Sequence, residues 1–107
     1  MAIHYQSIVN RLETEPLNEE ELKLVKEAEE HIDNEISTKF GVRYYEVAID
    51  NCIINFDYSP KTKKTINLKQ PRKNLMSRTL KEMYVEMGWK FQYPDESDYT
   101  ILKGKGQ

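Results

Sequence analysis

Eight basic residues, Lys61, Lys63, Lys64, Lys69, Arg72, Lys73, Arg78 and Lys81, fall within "PKTKKTINLKQPRKNLMSRTLK" (60–81), and no acidic residue interrupts them. Flexible lysines, forked guanidinium groups and small polar side chains such as Asn74 and Ser77 are the mixture that grips phosphate or carboxylate oxygens. Arg72 and Lys73 follow Pro71, a residue suited to the first turn of a helix, where cations oppose the helix dipole by up to about 1 kcal/mol. Their placement there calls for an anion, and an incoming phosphate would supply one. Two partners fit the run, an acidic protein surface or nucleic acid, while a plain solvated face accounts for the same residues with no partner at all. The pI of about 5.7 falls below the range of a dedicated nucleic-acid binder.

The rest of the chain offers less chemistry. Asp50 and Asp57 bracket a strand-like segment but lack the following Glu-x-Lys or Asp-x-Lys of a metal-dependent nuclease. Asp95, Glu96 and Asp98 lack the ligand alternation and glycine of a calcium loop, and a polar turn explains them. His4 and His31 stand alone, with His31 on an acidic segment. Cys52 falls on an apolar face, where a buried, unreactive thiol is the default. Phosphate-binding glycine loops, nucleophile elbows and zinc-protease motifs are absent from the sequence, so no catalytic residue, metal site or cofactor is expected, and the chain reads as a non-enzyme. The seven tyrosines carry no ribonucleoprotein pattern and read as core or rim.

Length and charge frame these groups. A chain of 107 residues with 38% hydrophobic content suits one domain, 1–107, with a single core. One cysteine permits no internal disulfide, and no stretch approaches the roughly 20 apolar residues that a bilayer requires, so a cytoplasmic, non-membrane protein is expected. The net charge of −2 conceals an asymmetry: residues 1–58 hold five basic against thirteen acidic side chains, and residues 59–107 hold eleven against five. Opposed faces of this kind also allow a homo-oligomer that docks acidic helix on basic surface.

Periodicity locates the elements that must position the basic run. Ile8, Val9 and Leu12 predict a short helix ending before Pro16. Asn18 and Glu21 form a capping box ahead of a long helix with stripe Leu22, Val25, Ala28, Ile32, Ile36 and Phe40, closed by Gly41. "RYYEVAID" (43–50) and "CIINFDY" (52–58) alternate about Asp50-Asn51, predicting a hairpin in which Ile49 faces Cys52, Val47 faces Ile54 and Tyr45 faces Phe56. "TINLK" (65–69) predicts a third strand with Ile66 and Leu68 inward. A second long helix runs from Pro71 to about Met87 on Met76, Leu80, Met83 and Met87, and Gly88 ends it. Trp89, Phe91 and Tyr93 then oppose Ile101 and Tyr99 across "PDESD" in a final hairpin. The result is an α+β domain of helices packed on a largely antiparallel sheet, in the order α-α-β-β-β-α-β-β.

The closing segment "LKEMYVEMGWKFQYPDESDYTIL" (80–102), a helix ending in Gly-Trp-Lys that passes straight into an alternating hairpin, resembles small Lys/Glu/Tyr-rich α+β accessory proteins encoded by tailed phages. That resemblance covers the last third of the chain, carries over no functional residues, and implies an accessory, virion or host-directed protein in host cytoplasm or virion. The sequence thus predicts a small non-enzymatic binding protein aimed at a host protein or built into a larger assembly, with a nucleic-acid binder using residues 61–81 and a self-assembling virion component as alternatives.

Overall fold

Capping chemistry decides where the principal helix begins. In the computed structural model, which describes residues 3–42 and 44–104, the Glu21 N–H donates to Asn18 Oδ1 at 2.8 Å and the Asn18 N–H donates to Glu21 Oε1 at 2.9 Å. The capping box thereby satisfies two N-terminal donors that have no partner within the helix. The helix it opens, α2, spans Glu19–Lys39 and places three glutamates in its first turn, where the dipole favours them. Before it, α1 spans Tyr5–Thr14, with the His4 ring capping through Nδ1. Strand β1 (Glu46–Asp50), the single turn α3 (Asn51–Ile54), helix α4 (Gln70–Glu86) and strands β2 (Trp89–Gln92) and β3 (Tyr99–Gly104) complete the described order. The three strands form an antiparallel sheet in the order β1-β3-β2, and α2 and α4 pack on each other and on the sheet. The fold is α+β, helices on an antiparallel sheet.

Val25, Ala28 and Ile32 of α2, Met76, Leu80 and Tyr84 of α4, and Val47, Ile49 and Leu102 of the sheet meet in one core with Ile53, Ile54, Phe56 and Ile66. Gly41 and Gly88 end their helices at φ +80° and +93°, where a side chain would be strained.

The predicted hairpin at 43–58 does not form. Strand β1 pairs with β3, Val47 against Leu102 and Ile49 against Thr100, and the second half of the hairpin is α3 and its exit turn. Two features of the residues explain the change. Asp50 is a better helix cap than turn residue, and its Oδ1 accepts from the Cys52 N–H at 2.8 Å. Ile53, Ile54 and Phe56 are all buried, and neighbours 53 and 54 cannot share one face of a strand but can both face the core from a helical turn. Asn51 fixes the arrangement from the other side, donating through Nδ2 to the Ser97 carbonyl and accepting from Thr100 Oγ1. Cys52, expected inward, is exposed as a result. Arg43, at the head of the expected strand, lies outside the described residues.

Further corrections follow the packing. "TINLK" contributes an isolated Tyr58–Thr65 bridge rather than a strand, although Ile66 and Leu68 do turn inward. In the final hairpin Phe91 pairs with Leu102 and Gln92 with Ile101, so Leu102 holds the inward position assigned to Ile101 and Tyr99. On α2 the inward position assigned to Leu22, which is 51% exposed, belongs to Glu21 at 2%.

A buried carboxylate needs a partner, and Arg72 supplies it: Nε donates to Glu21 Oε2 at 2.8 Å and Nη2 to Oε1 at 2.6 Å. These bonds hold the Glu21 carboxyl below its ordinary value of 4.5, against the opposing pull of burial. A depressed folded-state pKa contributes stability that is complete above pH 4.5 and fades as the pH falls through the lower folded value. Urea unfolding of the wild type is therefore expected to lose stability steeply below pH 4.5, whereas Glu21→Gln is less stable at pH 7 and loses less on acidification.

Candidate functional site

The eight cations of residues 61–81 do not form one surface. Arg72, counted among them for binding, faces inward: its side chain is 11% exposed, and besides Glu21 it donates through Nη1 to the Leu12 and Glu15 carbonyls and through Nη2 to the Pro16 carbonyl. The anion demanded by a cation in the first turn of α4 is thus Glu21, contributed by the chain itself. Lys73 is also mostly buried, with Nζ 3.4 Å from Asp57 Oδ1.

Lys61, Lys63 and Lys64 ride on a loop whose turn is closed by the Ser59 N–H donating to the Lys64 carbonyl and by the Lys63 N–H donating to the Ser59 carbonyl. That loop lies along the acidic helix: Ser59 Oγ donates to Glu27 Oε2 at 3.0 Å, Lys61 shares a cleft with Glu27, Glu30 and His31, and Lys64 shares another with Glu20 and Glu27. Lys61 and Lys64 therefore sit in a field already supplied with carboxylates. Lys69 precedes α4 as an exposed N-cap whose side chain makes no capping bond.

Arg78 and Lys81 lie on the flank of α4. Among the described residues neither has a carboxylate within ion-pair distance, which is equally true of Lys61, Lys63, Lys64 and Lys69, but these two together line a groove of about 390 Å³ beside α4. Asn74, Ser77, Arg78 and Lys81 fall at i, i+3, i+4 and i+7, one stripe of the helix. Gln70 joins them from the first turn, and Asn55 faces them from the end of α3. Gln70 Nε2 donates to Asn74 Oδ1 at 2.8 Å, which occupies the Asn74 acceptor and leaves its amide protons for a ligand. Ser77 is 7% exposed and its hydroxyl has no hydrogen-bond partner among the described residues. Lys81 Nζ stands 5.0 Å from the Tyr93 ring centroid, a cation–π contact that steadies the ammonium without neutralising it. Glu82 and Val85 also line the groove, so one carboxylate stands among its donors.

The opposite flank of α4 is acidic. Tyr84 places its hydroxyl 2.6 Å from Asp33 Oδ1 and 3.0 Å from the Glu29 carbonyl, and burial first, then the Asp33 hydrogen bond, pushes the phenol up. Asp33, Glu29 and Glu86 surround a cleft floored by Met83, Met87 and Trp89.

Positions that could have carried chemistry serve local structure. Asp50 caps α3, Asp57 pairs with Lys73, and His4 caps α1. Although Cys52 is exposed, partial desolvation first, then the Asp50 carboxylate, pushes its thiol up, which leaves it protonated at neutral pH. Among the described residues no three His, Cys, Asp or Glu side chains converge as a metal site, and no helix is long and apolar enough to cross a membrane. Asn55 and the Tyr93 contact escaped sequence reasoning, because the first depends on α3 being helical and the second on the order of the sheet. Compared with protein-family models, curated proteins and solved structures, the chain matches none.

This division of the basic run has a direct consequence for stability. Arg72→Met leaves Glu21 buried and unpaired and is expected to lower the unfolding free energy by about 3–5 kcal/mol. Substituting Lys61, Lys63, Lys64 or Lys69 by Met stays within about 0.5 kcal/mol of the wild type in the same urea titration.

Proposed function

We propose that this chain is a non-catalytic binding protein that docks an acidic segment of a partner protein on the α4 flank formed by Asn55, Gln70, Asn74, Ser77, Arg78 and Lys81. The observation that carries this reading is that Arg78 and Lys81, which make no ion pair among the described residues, share a groove with the polar side chains of Asn55, Gln70, Asn74 and Ser77 and with one carboxylate, Glu82, while Arg72 and Lys73 are engaged inside the fold. A helix bearing two outward cations that make no ion pair recognises carboxylates by charge and hydrogen bonding together. The function is occupancy of a partner's surface rather than turnover, in keeping with the resemblance to phage accessory proteins.

Protein is favoured over nucleic acid by the distribution of charge. Tracking a phosphate backbone takes several cations in a row, and each neutralised phosphate steepens the salt dependence. Here Lys61 and Lys64 share clefts with glutamates, Arg72 is enclosed, and Glu82 lines the groove beside Arg78 and Lys81.

Fluorescence anisotropy with a labelled polyglutamate peptide and a labelled single-stranded oligonucleotide, each at low and physiological salt, tests the reading. Polyglutamate binding that Arg78→Glu/Lys81→Glu weakens by at least about tenfold, and that Lys61→Ser/Lys63→Ser/Lys64→Ser leaves unchanged, is the expected result. Tighter binding of the oligonucleotide, lost on changing the loop lysines, would overturn it in favour of nucleic acid.

A further inference from the structure

The cleft on the acidic side of α4 has an apolar floor that is only partly covered. Met87, the C-cap of α4, is 79% exposed, and with Met83 and Trp89 it lines a space of about 460 Å³, within the size range of ligand pockets. The Phe40 and Trp89 rings meet in a T-shaped contact at 5.1 Å between centroids. Tyr45, 68% exposed, meets Phe40 at 6.0 Å, so the apolar surface continues beyond the cleft. Contiguous apolar surface of this kind marks a docking site, and methionine, unbranched and polarisable, adapts to the shape it receives.

Charge selects the occupant. Glu29 and Asp33, one turn apart on α2, and Glu86 on α4 stand around that floor, and no Lys or Arg lines the cleft. None of the three carboxylates makes an ion pair among the described residues. The Tyr84 hydroxyl donates to Asp33 Oδ1 at 2.6 Å and so restrains one of them. The C-terminal end of a helix also favours a cation, and the last turn of α4 has no basic residue. Three carboxylates repel nucleic acid and anionic lipid headgroups. The basic flank of a second copy would bring Arg78 and Lys81 but only one apolar side chain, Val85, to lay on the methionines. Independently of the docking flank on the other side of α4, we infer that this cleft receives a basic amphipathic segment of a partner protein. Its apolar side chains lie on Met83, Met87 and Trp89, and a lysine or arginine reaches Glu29, Asp33 and Glu86.

Fluorescence anisotropy of the full chain at physiological salt tests this with a labelled amphipathic helical peptide of leucine and lysine. The comparisons are polylysine and the same peptide with every lysine changed to serine or to glutamate. The leucine–lysine peptide is expected to bind at least about tenfold more tightly than any of the three. Met87→Ser, an exposed position where folding is not at stake, and Glu29→Gln/Glu86→Gln should each weaken it by about tenfold, the second also flattening its salt dependence. Glu13→Gln/Glu19→Gln removes as much charge from α1 and the first turn of α2 and should leave the affinity within about twofold. Absence of binding, equal binding of polylysine, or an affinity that Met87→Ser leaves unchanged would overturn the inference. Equal binding of the serine peptide would overturn the selection by charge. Self-association of the protein that Met87→Ser abolishes would overturn it in favour of a second copy as the occupant.

Discussion

A guanidinium has five N–H groups, and Arg72 makes five hydrogen bonds, two to the Glu21 carboxylate and three to the carbonyls of Leu12, Glu15 and Pro16. Those contacts join three parts of the chain. They place a cation at the C-terminal end of α1, where the dipole favours it and the last carbonyls lack partners. They bind the same Glu21 carboxylate that closes the capping box of α2 by accepting the Asn18 N–H. They also anchor the first turn of α4, which has no acidic residue of its own. Helix α1 contains no fully buried residue, only the half-buried Ile8, Val9 and Leu12, and Arg72 adds hydrogen bonds from α4 to its C-terminal end. The pair costs desolvation on both sides, and its value lies in fixing how the helices meet rather than in net stability alone.

The same interaction governs how the surface can be used. With Arg72 enclosed and Lys73 turned toward Asp57, the basic run is divided between internal structure and two outward sets. One set is the loop lysines, of which Lys61 and Lys64 share clefts with glutamates of α2. The other, Arg78 and Lys81, stands on the flank of α4 with the single carboxylate of Glu82 beside it, opposite an acidic cleft about Asp33, Glu29 and Glu86. The formal asymmetry between the halves of the sequence is therefore partly cancelled within the fold, and what survives is a local contrast between the two sides of one helix.

Much of this was legible in the sequence because it depends on neighbours in the chain. The capping box, the glycine stops at Gly41 and Gly88, the extents of α2 and α4 and the final hairpin are local, and the residues that specify them lie within a few positions of one another. The failures came where distant contacts decide. "CIINFDY" alternates well enough for a strand, yet Asp50 as a cap and the bonds from Asn51 to Ser97 and Thr100 turn it into α3. Glu21 could be read as a capping residue but not as a buried one, since its burial depends on Arg72, 51 positions away. For that reason Arg72 was assigned to the surface, and the phosphate invoked to balance the first turn of α4 is a carboxylate from α2. Arg78, Lys81, Asn74 and Ser77 were legible as one polar face by helical spacing alone, whereas Asn55 joined them only through α3.

The central claim is that Arg72 belongs to the interior and Arg78 to the docking surface, and the side-chain N–H signals of the arginines report it most directly. A two-dimensional NMR spectrum of the 15N-labelled protein at neutral pH, recorded during a titration with polyglutamate peptide, should show a sharp Arg72 Nε–H signal, slow to exchange with water and unmoved by the peptide. The Arg78 signal should exchange rapidly in the free protein, then shift and sharpen as the peptide binds. A rapidly exchanging Arg72 signal that moves with the peptide, beside an Arg78 signal that does not, would contradict the account at its base.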